Sequence, residues 1–168
     1  AVEFLASRPE IGWLACRLIK YADRTTVDTA GHGFSTAGAG YARLRWAQTG
    51  GADLVESEVF GACPAAAVYR RAALADAGEL DEDFFMYYED LDLDCRLQLA
   101  GWRCWYLPTS LVYHKVSASA GGAGSPLIVR LSSRNQEWTY LKNMPGRLFW
   151  TLLPAHLLFN FGRFAVYC

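Results

Sequence analysis

Short apolar segments alternate with polar turns along most of this chain, and their lengths predict strands and helices. Residues 11–19 form a nearly continuous apolar run, which predicts a buried strand. A second strand is predicted over residues 54–63. Residues 102–107 and 111–113 predict two further strands, separated by Pro108. Strands and helices mixed in this way predict an α/β fold.

Helices are predicted where apolar residues recur three and four positions apart. The chain opens on the end of a helix, residues 2–7, and a second helix ends at Gly78, a typical C-terminal glycine. A third helix is predicted to begin at Asp90 as its N-cap and to end before Gly101. Its buried face would carry Leu93, Leu97 and Ala100.

Two glycine-rich segments predict turns and a linker. Residues 30–40 lack the G-x-G-x-x-G spacing and the Lys-Ser/Thr pair of a phosphate-binding loop, so tight turns are favoured over a phosphate site. Residues 117–126 (SASAGGAGSP) have the composition of a flexible linker. This linker would divide the chain into residues 1–116 and a helical segment, residues 127–168.

The helical segment after the linker is strongly apolar, and residues 148–161 carry no formal charge at neutral pH. These 14 residues are fewer than the roughly 18 that a bilayer-spanning helix needs. His156, Asn160 and Arg163 share one stripe of the predicted helix, and Leu and Phe residues fill the remaining arc. Two interpretations stay open: a helix lying on an anionic membrane surface, or a helix that packs on the domain or begins a truncated hairpin.

The composition is that of one globular domain, with 168 residues, 52% of them hydrophobic and 20% charged. The formal net charge of −1 gives no reason to expect a nucleic-acid partner, which would favour a basic protein, and we exclude nucleic acid as a main partner. The five cysteines form no C-x-x-C pair, which argues against a zinc site or a disulfide framework and for a reducing compartment. They are interpreted as small buried apolar residues.

Glu89 and Asp90 are the strongest candidates for chemistry, because they directly follow an aromatic loop, residues 81–88. Carboxylates beside aromatic rings are costly to bury unless they have a task, such as general-base catalysis. His114 ends the last predicted strand and is either a metal ligand of the same pocket or a structural histidine.

The acidic run around this pair has simpler explanations as well. Asp90, Asp92 and Asp94 imitate the first half of an EF-hand loop, but Cys95 and Gly101 replace the required glycine and glutamate. Acids at a helix N-terminus interact favourably with the helix dipole, which accounts for Asp92 and Asp94. Neither explanation accounts for an acid pair beside the aromatic loop.

Four motifs occur in order along the chain: GACPAAAVYRR (residues 61–71), AGELDEDFFMYYEDLDL (77–93), LAGW (99–102) and LPTSLVYH (107–114). Together they resemble the inverting family-2 glycosyltransferases, whose catalytic domain has the GT-A fold. The chain looks most similar to the rhamnosyltransferase-like branch, which builds bacterial cell-surface polysaccharides. The resemblance covers most of residues 1–142, where RNQEWTYLKN (134–143) is similar to the family's Arg-Asn helix.

This resemblance implies an enzyme that transfers a sugar from a UDP-, dTDP- or GDP-linked donor to a saccharide or polyprenyl-linked acceptor, by single displacement with inversion. It also implies a divalent cation, Mg²⁺ or Mn²⁺. The family's base falls on Asp90, beside Glu89, and its metal-contacting histidine on His114. Substrate-binding positions fall on Gly61, Ala62, Tyr88 and Arg134. Arg134 is equally explained as a solvated helix residue.

The resemblance further implies a missing part. The family's first half, a Rossmann-like unit that binds the nucleotide and ends in an acidic D-x-D metal motif, is expected to precede Ala1. Residues 81–83 match D-x-D by letters but lie in the acceptor-side loop, where Leu80 replaces the usual Phe. We therefore expect residues 1–116 to be the base and acceptor portion of a partial GT-A domain. Alone it should be inactive and bind metal weakly, and its tail should place it at the cytoplasmic face of the cell membrane.

Two other functions fit parts of the sequence. A non-catalytic carbohydrate-binding module would stack sugars on Trp102, Trp105 and the Tyr87–Tyr88 pair, without needing Asp90. A membrane-associated scaffold would need none of Glu89, Asp90 and His114.

Overall fold

A mixed sheet with helices packed around it forms the body of the chain, which confirms the predicted α/β class. The computed structural model describes residues 1–116 and 125–167, with the side chains of residues 164–167 excepted. The strands are β1 (Ile11–Lys20), β2 (Val27–Thr29), β3 (His32–Phe34), β4 (Gly40–Ala42), β5 (Ser57–Val59), β6 (Ala67–Tyr69) and β7 (Arg103–His114). The α-helices are α1 (Val2–Ala6), α2 (Arg71–Ala77), α3 (Glu89–Leu99), α4 (Pro126–Asn143) and α5 (Gly146–Tyr167). Single 3₁₀ turns lie at Ala52–Leu54, Pro64–Ala66 and Glu82–Phe84.

Strand β1 is the centre of the main sheet, as its continuous apolar sequence predicts. It pairs in parallel with β7 on one side and antiparallel with β2 and β6 on the other, and β5 pairs with the far side of β7. Its successive residues Trp13 and Leu14 are fully buried in two different apolar clusters, so both faces of the sheet are covered. The parallel pairing brings the strand ends Lys20 and His114 side by side.

Strand β7 is continuous over 12 residues, which corrects the prediction of two strands separated at Pro108. Its register against β1 shifts between Leu107 and Leu111, so the residues between them bulge out of the ladder. Proline has no N–H to donate, and a bulge is where a strand tolerates it. The strand predicted over residues 54–63 is shorter than expected, since only the three residues of β5 pair.

The glycine-rich segment, residues 30–40, contains more regular structure than the predicted turns. Strands β3 and β4 pair antiparallel across it as a hairpin. The ring of Tyr41 packs over Gly33, where a Cβ atom would lie 2.2 Å from it. The hairpin holds His32 at 8% exposure, facing α3.

Helix α3 begins at Glu89 rather than after Asp90, so Asp90 is a first-turn residue and not the predicted N-cap. The cap position belongs to Tyr88, whose carbonyl accepts the first helical hydrogen bond, from Asp92 N, at 2.8 Å. Gly101 follows the helix with a φ of 88°, as predicted. Leu93 and Leu97 are buried as expected, whereas Ala100 is exposed past the last helical residue.

The aromatic loop before α3 has an unusual backbone that α4 holds in place. Phe85, Tyr87 and Tyr88 have φ values between 61° and 68°, a left-handed region that is costly for bulky residues. The side chain of Asn135 on α4 donates hydrogen bonds of 2.7–2.9 Å to the carbonyls of Phe84, Met86 and Tyr87. The Arg-Asn helix of the sequence motif therefore fixes the loop that presents the acid pair.

Helix α5 packs its polar stripe inward. His156 is 2% exposed and contacts Glu137 and the carbonyl of Ala37, while Asn160 and Arg163 contact Gln136 of α4. The polar stripe therefore packs on the domain, as the second interpretation predicted, and the apolar arc of α5 faces outward. Among the described residues, no helix combines the length and apolar character needed to cross a bilayer.

The predicted linker, residues 117–126, lies mostly outside the described residues. Its last two residues begin α4: Ser125 is the N-cap, whose hydroxyl accepts a hydrogen bond from Ile128 N, and Pro126 is the first helical residue. Helix α4 then packs on α3, with Asn143 donating to the buried Asp92 at 2.8 Å.

Candidate functional site

A cleft of about 410 Å³ opens at the carboxyl ends of the parallel strands β1 and β7, and we call it the acid cleft. It brings together three of the predicted site residues: Glu89 and Asp90 from the first turn of α3 and His114 from the end of β7. Asp28, Thr29, His32 and Arg45 are the other polar residues that line it. The carboxyl ends of parallel strands are the usual location of ligand sites in α/β sheets.

An adjoining depression of about 290 Å³ shares the wall formed by His32, Glu89 and Asp90. It adds the ring of Tyr88, whose hydroxyl donates to Gln136 at 3.0 Å. The acid pair therefore stands between two connected spaces. Such an arrangement suits a reaction that joins two substrates.

Asp90 lines the acid cleft, and its two oxygens have different partners. Its Oδ1 accepts a hydrogen bond of 2.8 Å from Leu91 N, while Oδ2 lies 3.8 Å from Nε2 of His32. Because Tyr88 and not Asp90 is the N-cap, Oδ2 of Asp90 does not serve as the capping acceptor for the first N–H groups of the helix. A carboxylate held in this way can accept a proton from a bound hydroxyl.

Glu89 has a different environment from its neighbour. Burial, followed by the negative charge of Asp90, raises the pKa of Glu89 above its usual range. Its buried Oε2 has no hydrogen-bond partner among the residues that the structure describes. A buried carboxyl with a raised pKa and an unused oxygen is suited to hydrogen-bond a substrate hydroxyl.

Behind Asp90 lies a buried ion pair between His32 and Asp94. Nδ1 of His32 donates to Oδ2 of Asp94 at 3.1 Å. The other oxygen of Asp94 accepts hydrogen bonds from Trp13 Nε1 at 2.9 Å and Ala62 N at 3.2 Å. Asp94 is completely buried, and every one of these contacts joins residues distant in sequence. The pair anchors the cleft wall to the centre of the sheet.

The pKa values of both partners of this pair are raised. Burial raises the pKa of Asp94 to about 6, although the hydrogen bond from His32 opposes that shift. Burial acts to lower the pKa of His32, but the hydrogen bonds with Asp94 and Cys63 and the charges of Asp90 and Asp94 outweigh it and raise the pKa well above its usual value. At neutral pH the pair is therefore ionised.

This ion pair predicts a pH dependence of stability. In the unfolded chain His32 releases its proton near pH 6.5, whereas in the folded protein it keeps the proton to a higher pH. The ionised pair therefore stabilises the fold fully below pH 6.5, and this stabilisation declines as the pH rises. We expect the free energy of unfolding of the wild type to fall by about 1 kcal/mol between pH 6.5 and 8. His32→Gln should lower stability yet flatten this decline. Urea unfolding at several pH values measures both, and equal slopes for the two proteins would contradict the assignment.

His114 is paired with Asp28, whose Oδ2 lies 2.8 Å from His114 Nδ1. Within residues 1–116 and 125–163, no three His, Cys, Asp or Glu side chains converge closely enough to hold a metal ion. Hard divalent cations take about six oxygen ligands, so His114 and Asp28 do not suffice for the implied Mg²⁺ or Mn²⁺. We assign no chemical step to a metal on these residues.

The other predicted site residues do not line the acid cleft. Gly61 and Ala62 lie behind it, where the Gly61 carbonyl accepts from His32 N at 2.7 Å. Arg134 donates to the carbonyl of Phe84 at 3.1 Å and stacks on Trp138 at 4.3 Å, so it supports the aromatic loop. Their predicted contacts with substrate stay predictions.

The helix-dipole explanation of Asp92 and Asp94 is incomplete, because both side chains are fully buried. Asp92 forms ion pairs with Arg96 at 2.9 Å and Lys142 at 3.1 Å. Asp94 lies one helical turn after Asp90 and so shares its face. That spacing was the signal in the sequence for a second acid behind the site, whereas no local signal identified His32 or Asp28.

Comparison with known proteins relates part of the chain to an enzyme. No protein-family model matches it. A stretch of 52 residues is 46% identical to N-acetylglucosaminyl-diphospho-decaprenol L-rhamnosyltransferase of Mycobacterium tuberculosis, in strains CDC 1551 / Oshkosh and ATCC 25618 / H37Rv alike. The stretch covers 31% of this chain and 17% of the relative. This partial similarity supports a relation to glycosyltransferases.

Proposed function

We propose that this chain carries the acceptor and general-base portion of a glycosyltransferase that acts in the synthesis of bacterial cell-surface polysaccharide. The observation that carries the proposal is the acid pair Glu89–Asp90, presented between two connected clefts at the carboxyl ends of parallel strands. The partial similarity to a rhamnosyltransferase supports the same reaction class. A family-2, GT-A assignment with Rossmann-like topology is part of this proposal.

In the proposed reaction Asp90 is the general base. Its Oδ2, which lies 3.8 Å from His32 Nε2, takes the proton of an acceptor hydroxyl while the hydroxyl oxygen attacks the anomeric carbon of a nucleotide sugar. The bond from the anomeric carbon to the diphosphate breaks, and its electron pair leaves on the diphosphate. Attack from the face opposite the leaving group inverts the anomeric centre, and no covalent enzyme intermediate is needed. Glu89 orients the acceptor by hydrogen bonding a second hydroxyl.

The acceptor we propose is a saccharide on a polyprenyl diphosphate, by analogy with the N-acetylglucosaminyl-diphospho-decaprenol after which the relative is named. The donor is a UDP-, dTDP- or GDP-linked sugar. The divalent cation implied by the resemblance stays a prediction. Incubating the complete gene product that carries this sequence with lipid-linked diphospho-N-acetylglucosamine and each donor class, followed by mass spectrometry, tests the proposal. A product heavier by one sugar supports it, and no product with any donor would contradict it.

The carbohydrate-binding alternative relied on Trp102 and Trp105, and these two residues do not form an open platform. Trp102 packs against the cluster around Trp13, and Trp105 packs against the cluster around Leu14. Their indole N–H groups are engaged with Asp76 and Glu56. Tyr87 does line the acid cleft, where stacking on a sugar would serve a transferase equally well.

We further propose that the outer face of α5 lies on the cytoplasmic surface of the cell membrane. The polar residues of the helix contact α4, and several apolar residues of the remaining arc are exposed. Trp150, Leu158 and Phe161 are 71–73% exposed. Burying such side chains in lipid is favourable by about 1.5–3 kcal/mol each. A lipid-linked acceptor would make this contact useful.

Flotation with liposomes tests the membrane contact. We expect the chain to float with vesicles containing anionic lipid, and high salt to weaken but not abolish the association. Leu158→Gln/Phe161→Gln should reduce the bound fraction at least about tenfold. The matched control is Leu54→Gln/Val55→Gln, which replaces two apolar residues that are 51% and 62% exposed elsewhere. Equal flotation of the two double variants would remove the membrane role.

A further inference from the structure

A second open cleft, of about 380 Å³, lies beside the acid cleft, and we call it the basic cleft. It forms where β1 and β7 end, between Lys20 and Tyr21 on one side and Lys115 on the other, with Trp46 as a further wall. His114 and Val116 line both clefts, so a ligand can extend from one into the other.

Cations gather on the aromatic rings in and around this cleft. Lys20 Nζ lies 3.3 Å from the ring centre of Trp46, and the Arg45 guanidinium lies 5.0 Å from the same ring. Lys115 Nζ lies 4.7 Å from the centre of Tyr21. Arg24 stacks on Tyr113 at 4.6 Å. The three rings are 43–57% exposed, so the assembly faces solvent.

These four cations have no carboxylate of the described chain in direct contact. In the described ranges, none of them forms an ion pair with a carboxylate. The nearby Asp23 interacts with Lys20 through its charge, but its oxygens are hydrogen-bonded to Thr25 and Thr26 and not to Lys20. Asp28, on the shared side of the acid cleft, is taken by His114. Two positive charges on one indole ring repel each other, and an exposed cation–π contact contributes only about 0.5–1 kcal/mol.

The backbone that presents Trp46 is also strained. Leu44 and Trp46 have φ values of 53° and 70°, a region that bulky residues avoid. The Trp46 ring is 57% exposed, so burial of the ring does not offset this cost. A strained, exposed aromatic residue surrounded by cations is typical of a ligand contact.

We propose that the basic cleft binds the diphosphate of an organic diphosphate ester, with Trp46 and Tyr21 packing against the group that the ester carries. Unpaired cations in a concave site suit a compact anion with two to three negative charges. This inference rests on the proposed function for its source: the ester would be the lipid-linked acceptor, whose sugar extends past His114 to Glu89 and Asp90. A nucleotide sugar carries the same diphosphate chemistry, and the experiment separates the two.

Calorimetry on the 168-residue chain tests the site without any transfer reaction. The probes are geranyl diphosphate, UDP, dTDP, GDP and inorganic pyrophosphate. We expect geranyl diphosphate to bind most tightly and Lys20→Gln/Lys115→Gln to weaken that binding about tenfold or more, as should Trp46→Ala. Raising the salt concentration should weaken it too. The control is Arg71→Gln/Arg130→Gln, which removes two exposed cations elsewhere and should bind like the wild type.

Each outcome has a defined meaning. If a nucleoside diphosphate binds most tightly, and Lys20→Gln/Lys115→Gln and Trp46→Ala weaken that binding, the site exists and belongs to the donor. Absence of binding by every probe, or equal binding by the test and control variants, overturns the proposal. A chain that binds geranyl diphosphate through these residues while the complete gene product transfers no sugar would retain the site and reject the proposed function.

Discussion

Asp90→Asn should lower the rate of sugar transfer by about 100-fold or more while leaving the fold intact, the usual scale for loss of a general base. Asparagine has nearly the same shape, and its amide oxygen can still accept the 2.8 Å hydrogen bond from Leu91 N. It cannot take a proton at Oδ2, the position that faces the cleft. The measurement is kcat of the complete gene product at saturating donor and acceptor, with thermal unfolding to verify folding.

Glu89→Gln is the matched control for this substitution. Because the pKa of Glu89 is already raised by burial and by Asp90, a neutral amide resembles the protonated carboxyl and should cost less than about tenfold in kcat. The assignment of the base would be wrong if folded Asp90→Asn turned over at nearly the wild-type rate, or if Glu89→Gln were the more damaging of the two.

Gly61→Ala should destabilise the chain by about 3 kcal/mol or more, the upper end of the usual cost of overpacking. A Cβ atom at this position would lie 1.8 Å from Oδ2 and 2.0 Å from Cγ of Asp94. Asp94 cannot move away cheaply, because it is completely buried and holds Trp13 and His32 by hydrogen bonds. The added methyl group therefore either displaces this carboxylate or distorts the backbone beside His32.

Urea unfolding of Gly146→Ala provides the comparison. Gly146 is the first residue of α5, and outside that helix no atom of the described chain lies within 4 Å of the position that a Cβ atom would take. Alanine is favoured over glycine in a helix, so this variant should be at least as stable as the wild type, with a gain of no more than about 1 kcal/mol. Similar losses of stability for the two alanine variants would show that the close packing of Gly61 on Asp94 is absent in solution.

The parts of the fold that the sequence predicted are those with local causes. The apolar run of β1, the terminal glycines Gly78 and Gly101, and the buried face of α3 follow from residues close in sequence. The meeting of Glu89, Asp90 and His114 in one cleft agrees with their prediction as one site, although their roles stay predictions. Each of the local elements depends on a pattern within about a dozen residues.

The parts that could not be predicted depend on contacts between distant residues. His32 and Asp94 are 62 positions apart, and nothing near either one specifies the other. Pro108 indicates a strand end by itself, and only the register against β1 shows that a bulge accommodates it. For α5, periodicity placed three polar residues on one stripe but could not tell whether that stripe faced solvent or α4. The partner helix decides this.

The anomeric configuration of the transferred sugar tests the central claim most directly. A single displacement with Asp90 as base and no covalent intermediate requires inversion relative to the nucleotide sugar. NMR of the disaccharide that the complete gene product forms from a donor of known configuration reads this out. Our account predicts the inverted linkage. A retained configuration would contradict it, since a single displacement from the face opposite the leaving group always inverts the anomeric centre.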